Sequence, residues 1–153
     1  MQWRKSLWCL ALLGGTLLGV AGIAKATALR QYYGGWTYYP QSTYYYRYYY
    51  YKPYDSYDGY QYHYCIYYTS QPRYVYYYNP QRQVYWGRLD TEAKGDEKYS
   101  LLEDKDRKKE LKDIPEKAFP KPAKMPKVPD AKDDITIETP PNDLPKNDLP
   151  DAK

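Results

Sequence analysis

Between Tyr60 and Arg88 the chain falls into three short runs of mostly aromatic and apolar residues, separated by polar, turn-forming ones. Gln61-Tyr62-His63-Tyr64-Cys65-Ile66-Tyr67-Tyr68 ends at Thr69-Ser70-Gln71-Pro72, Arg73-Tyr74-Val75-Tyr76-Tyr77-Tyr78 ends at Asn79-Pro80-Gln81-Arg82, and Gln83-Val84-Tyr85-Trp86-Gly87-Arg88 closes the series. That pattern predicts a three-stranded antiparallel meander. Asp58-Gly59 suits a tight hairpin and would add the preceding tyrosine run as a fourth, edge strand, with Pro53 limiting its length. The expected fold class is therefore a small all-β meander of three or four strands, accompanied by extensive low-complexity and disordered regions. A unit of that size lies near the lower limit for independent stability, so it is expected to pack against something else.

Upstream, that regular spacing of runs and turns is lost. Residues 29–59 form a tyrosine-dominated low-complexity segment with runs such as Tyr44-Tyr45-Tyr46-Arg47-Tyr48-Tyr49-Tyr50-Tyr51, broken by Gly34-Gly35, Pro40 and Pro53. Tyrosine favours extended backbone, but rings on consecutive positions decorate both faces of a strand and leave its register poorly specified. A sticky, variably paired segment is the expectation.

Downstream, residues 91–153 form a charged, proline-rich tail. Ser100-Leu101-Leu102-Glu103 matches a capping box, which predicts a short helix over about 101–112 before Pro115 stops it. Leu101, Leu102, Leu111 and Ile114 make no continuous apolar stripe, so such a helix is marginal. From Pro115 onward nine of the chain's 13 prolines recur among lysine, aspartate and alanine, which predicts an extended, largely disordered spacer or tether. Asn142-Asp143-Leu144-Pro145-Lys146 is repeated by Asn147-Asp148-Leu149-Pro150-Asp151.

Residues 1–28 have the make-up of an export signal: Arg4 and Lys5, an apolar run from Leu7 to Ala24, then Ala24-Lys25-Ala26 and Ala26-Thr27-Ala28 as small-residue cleavage patterns. Cleavage after Ala26 or Ala28 is expected, with an uncleaved signal as the sole route to membrane attachment. A chain beginning at Thr27 would carry 20 basic and 19 acidic residues, so global attraction to nucleic acid is not expected. Cys9 would leave with the signal, and Cys65, then the lone cysteine, becomes a candidate for an intermolecular disulfide.

Candidate chemistry is sparse. His63 and Cys65 would share one strand face, yet zinc needs three or four protein ligands and no third soft ligand exists. No metal, cofactor or catalytic residue is expected, because acid, base and nucleophile form no recognisable arrangement. What remains is tyrosine, 24 residues of 153, of which 23 lie between Tyr32 and Tyr85. Its amphipathic ring stacks on sugars, peptides or other rings at low entropic cost. Trp36, Tyr76, Tyr78, Tyr85, Trp86 and Arg88 are the candidate members of an aromatic binding platform.

Tyr76-Tyr77-Tyr78-Asn79-Pro80, Val84-Tyr85-Trp86-Gly87-Arg88, Lys112-Asp113-Ile114-Pro115-Glu116 and Ala118-Phe119-Pro120-Lys121-Pro122 together resemble tyrosine-rich exported proteins of planctomycete bacteria. The likeness covers roughly residues 60–122 and implies no activity, only that sheet and early tail belong to one recurring unit. Two function classes follow. The first is an exported structural or adhesive protein of the cell surface or envelope, self-associating or binding envelope components through tyrosine. The second is a small extracytoplasmic module that binds carbohydrate or peptide on an aromatic platform.

Overall fold

The computed structural model describes residues 29–146, so the expected signal and the second copy of the tail repeat lie outside the described residues. Seven strands form one antiparallel sheet: β1 (Gln31–Tyr33), β2 (Thr37–Tyr39), β3 (Tyr44–Tyr51), β4 (Gln61–Tyr68), β5 (Tyr74–Asn79), β6 (Val84–Asp90) and β7 (Tyr99–Leu101). The order is β1-β3-β4-β5-β6-β7, and β2 also pairs with β3. The all-β meander is as the runs and their turns predict for β4 to β6, but three or four strands is an undercount.

The added strands come from the tyrosine-rich segment. β3 is no edge strand: it pairs along its full length with β4, from Tyr44↔Tyr68 to Tyr51↔Gln61, and on its other side with β1 and β2. β1 and β2 form one interrupted strand, in which Gly34, Gly35 and Trp36 stand opposite Arg47 and Tyr48. Gly34 N–H donates to Tyr48 O at 2.8 Å across this bulge. The Asp58-Gly59 hairpin is replaced by a longer loop between Tyr51 and Gln61, in which Gly59 takes a positive φ of 75°. At the β5–β6 turn Asn79 Oδ1 accepts from the backbone N–H groups of Gln81 and Arg82, both at 3.0 Å, as its turn-forming chemistry requires.

Strand periodicity sorts the side chains into two faces. On the first, Tyr49, Tyr51, Cys65, Tyr67, Val75, Tyr77, Leu89 and Tyr99 pack with Val128 and Ile137 of the tail. On the second, Ile66, Tyr76 and Tyr85 pack with Leu102 and Ile114, and Phe119 lies against them. The tail residues up to 146 thus cover much of both faces instead of extending as a spacer. This explains why the tyrosine runs lack a polar face: a sheet covered on both sides needs none.

The expected helix over 101–112 does not form. Ser100 and Leu101 belong to β7, Leu102 is buried under the second face, and only 3-10 turns follow at Asp104–Asp106, Leu111–Asp113 and Glu116–Ala118. Burying Leu102 and Ile114 individually outweighs a capping box that had no apolar stripe to support it.

Three sheet or sheet-edge arginines clamp tail carboxylates. Arg30 Nη1 and Nη2 donate to Asp133 at 2.5 and 3.0 Å, Arg47 Nη1 to Asp143 Oδ1 at 2.8 Å, and Arg88 makes a two-pronged contact with Glu116. Arg47 lies over the rings of Tyr33 and Trp36, and Arg88 over those of Tyr74 and Phe119 at 3.8 and 4.0 Å. Planar guanidinium suits this combination of ring stacking and forked carboxylate contact. Gln31 completes the attachment: its Oε1 accepts from Tyr49 Oη and Glu138 N, and its Nε2 donates to Thr136 O.

His63 is fully buried between the rings of Tyr51 and Trp86, and neither ring nitrogen has a partner. Burial, reinforced by Arg107 and Arg82, pushes its pKa down to about 3. The folded value lies below the unfolded value of ~6.5, so the unfolded chain binds the extra proton and stability falls as pH drops through this window. Urea midpoints are expected to decline from pH 7 to pH 4.5, by up to ~1.4 kcal/mol per pH unit from this group. His63→Leu should flatten that decline, and an unchanged slope in the variant would assign the loss elsewhere. Below this range the paired Glu116 and Asp133, held low by Arg88 and Arg30, add a second acid-induced loss as they protonate.

Candidate functional site

On the second face the tail segment 102–119 covers only the β5–β6 side. Beside it, even-numbered residues of successive strands bring Tyr44 and Tyr46 of β3, Tyr64, Ile66 and Tyr68 of β4, Tyr78 of β5 and the bulge-shifted Tyr85 of β6 to the floor of a groove. Tyr39 and Ser42 form one wall, and Lys109 and Glu110 the other. The groove has a volume of about 480 Å³ and continues past Tyr68, Tyr85 and Glu110 into a second cavity of about 520 Å³ bounded by Gln71, Tyr76 and Phe119. Both volumes fall in the range typical of small-ligand sites, ~300–1,000 Å³.

The groove is chemically neutral apart from its rim. Tyr68 and Tyr85 share a hydroxyl–hydroxyl hydrogen bond at 2.9 Å where the two cavities meet. Burial raises the phenol pKa of Tyr44, Tyr68, Tyr78 and Tyr85, so each stays protonated through neutral pH and can donate as well as accept. Lys109 and Glu110 offset one another in charge. Such a surface suits a ligand with apolar faces and hydroxyl or amide edges.

Next to the groove, further from the tail, a tyrosine array continues across β1, β3 and β4. Tyr48, Tyr50 and Tyr62 are half-buried and belong to neither buried cluster. Tyr48 and Tyr50 stack at 5.3 Å, Tyr32 stacks on Tyr50 at 4.8 Å, and Tyr62 meets Tyr48 edge-on at 5.2 Å. Each ring packs against its neighbours, as cross-strand and same-face pairs do.

The six expected platform residues do not assemble. Trp36 and Trp86 lie on the first face, where Trp36 covers Arg47 at 4.4 Å and Trp86 packs against His63 and Tyr99. Tyr76 and Arg88 are on the second face but buried, Tyr76 bonding Gln71 Oε1 and Arg88 gripping Glu116. Tyr78 and Tyr85 line the groove, and Tyr76 borders only the second cavity. Sequence reasoning passed over Tyr39, Tyr44, Tyr46, Tyr64 and Tyr68, although the shared even spacing of 44/46, 64/66/68 and 78 would have grouped them once β3 was recognised as a strand.

Cys65 is wholly buried, and burial pushes its thiol pKa up to about 12. A bridge to another chain would require the sheet to open first. Among the described residues no three His, Cys, Asp or Glu side chains gather in a way that would hold a metal ion, and no helix is long and apolar enough to cross a membrane.

No family model, curated protein or solved structure matches this chain. Geometry and chemistry alone speak for the site.

Proposed function

We propose that this chain is an exported structural or adhesive protein of the cell surface, making its contacts through the tyrosines that the tail leaves uncovered. The observation that carries this reading is the stacked array of exposed Tyr32 and half-buried Tyr48, Tyr50 and Tyr62 beside the groove. Pre-ordered amphipathic rings lose little entropy on contact, whether the opposing surface is another copy or envelope material. The signal-like composition of residues 1–28 supports the location. Sedimentation velocity over a concentration series, with co-pelleting on envelope fractions, tests it. Association is expected for the wild type and should be strongly weakened in Tyr50→Ser/Tyr62→Ser, which should still unfold cooperatively after losing about 1–3 kcal/mol of ring contacts. A wild-type chain that remains monomeric at high concentration and pellets with nothing would defeat the proposal.

A second reading, a carbohydrate- or peptide-binding module, is favoured by the groove on Tyr44, Tyr68, Tyr78 and Tyr85. It differs in outcome: saturable one-to-one binding to a glycan or peptide, abolished by Tyr78→Ala and untouched by Tyr50→Ser/Tyr62→Ser.

A further inference from the structure

The second face already holds one peptide segment, its own tail. Leu102, Ile114 and Phe119 settle among Ile66, Tyr76 and Tyr85, with Phe119 edge-on to Tyr76 at 6.1 Å. The backbone is held too, since Tyr85 N–H donates to Lys108 O at 2.9 Å. The tyrosine floor does not end where this segment does. It runs on beneath the groove, which is walled on one side by Lys109 and Glu110 of the same segment. The groove is therefore the uncovered half of a surface whose other half binds peptide.

Its polar chemistry narrows the ligand. Tyr44 and Tyr78 stay protonated because burial raises their pKa, so each presents an O–H. Tyr68 and Tyr85 share one hydrogen bond, which engages one of their two hydrogens. The floor carries these phenols and Ile66, but no carboxylate, amide or guanidinium, and the two rim charges are opposite in sign. A sugar brings several O–H donors on each ring and needs acceptors to match them. A proline-rich backbone brings the complement: each proline has a C=O and no N–H. Its extended helix is also pre-formed and suits an aromatic-lined groove at low entropic cost.

We propose that the groove binds an extended, proline-rich segment of a partner protein, whose carbonyl oxygens accept from Tyr44, Tyr78 and the Tyr68–Tyr85 pair while its pyrrolidine rings lie against the tyrosines. This rests on the second reading above and commits it to one ligand. The floor from β3 to β6 crosses three strand spacings, about 14 Å at ~4.8 Å each, which matches roughly five polyproline residues at ~3.1 Å. The array of Tyr32, Tyr48, Tyr50 and Tyr62 takes no part in this contact.

Fluorescence polarisation of a labelled Ala-Pro-Pro-Leu-Pro-Pro-Ala peptide with the full chain tests this, alongside Ala-Gly-Gly-Leu-Gly-Gly-Ala and a hexamer of N-acetylglucosamine. Saturable one-to-one binding is expected for the proline peptide and none for the other two at the same concentrations. Tyr44→Phe and Tyr78→Phe keep the rings and remove the donors, so each should weaken binding by about three- to tenfold while cooperative unfolding is retained. Tyr50→Ser/Tyr62→Ser should bind the peptide as the wild type does. The proposal is overturned if the glycine peptide binds equally well or if both phenylalanine variants bind like the wild type. Loss of binding in Tyr50→Ser/Tyr62→Ser also overturns it, by moving the contact to the neighbouring array. Binding of the sugar hexamer in place of the peptide would overturn the ligand and keep the groove, whereas binding of neither would overturn the groove reading as well.

Discussion

Gly87→Ala is expected to destabilise the protein by about 3 kcal/mol, at the upper end for overpacking, and to lower its thermal midpoint by about 12 °C. A Cβ at this β6 position would sit 2.5 Å from Ser100 O and 2.7 Å from both Cε1 and Oη of Tyr99. Two of these atoms belong to a ring that is itself buried, and the third is strand backbone, so no flexible side chain can swing aside. Relief requires β7 to move away from β6, breaking the Gly87↔Leu101 and Arg88↔Ser100 pairing. The tail is then affected too, because Tyr99 N and O bond Ala123 at 2.9 and 2.8 Å. Differential scanning calorimetry checks the prediction. A variant within ~0.5 kcal/mol of wild type, the ordinary range for a surface change, would mean that β6 and β7 do not approach this closely.

Tyr77→Ala should cost about 3–5 kcal/mol, the range for emptying an aromatic site in a core. Tyr77 is fully buried at the centre of the first face, edge-on to Tyr49 and Tyr99. Its hydroxyl and that of Tyr33 are 2.9 Å apart, and Tyr33 Oη also donates to Glu138 O. Tyr77→Phe is the informative companion. It keeps the ring and leaves Tyr33 its carbonyl partner, so a loss of only ~1 kcal/mol is expected from the missing hydrogen bond. Equal losses in the two variants, measured by urea unfolding, would show that the hydroxyl rather than the ring holds this core together. Both losses are large against a total stability of ~5–15 kcal/mol for a domain.

β4, β5 and β6 were legible because turn residues frame runs rich in tyrosine and other strand-favouring residues. β3 was legible only as an optional edge strand and not as a strand paired on both sides, because Tyr44 to Tyr51 shows no polar face, and polarity contrast is the signal by which a half-buried strand is recognised. That contrast is missing because both of its faces receive cover or neighbouring rings. In the tail, prolines and alternating charges have the composition of a solvated spacer, and Leu102, Ile114, Val128 and Ile137 are too widely spaced to give any period. Each nevertheless finds a place on the sheet, and Arg30, Arg47 and Arg88 neutralise carboxylates that would otherwise favour water. Nothing local announces such pairing, since its partners lie as much as 103 residues apart. The groove was partly visible, through Tyr78 and Tyr85, whereas the two tryptophans drew attention to the wrong face. Rarity made them conspicuous, but their indoles cover Arg47 and His63.

Val128 and Ile137 seal the first face from well downstream of the last strand, and this sets an order of events during biosynthesis. The hairpins from β3 to β6 need only short-range encounters and can form as soon as they emerge, but Tyr49, Tyr51, Tyr67 and Tyr77 stay wet until the closing segment is released from the ribosome.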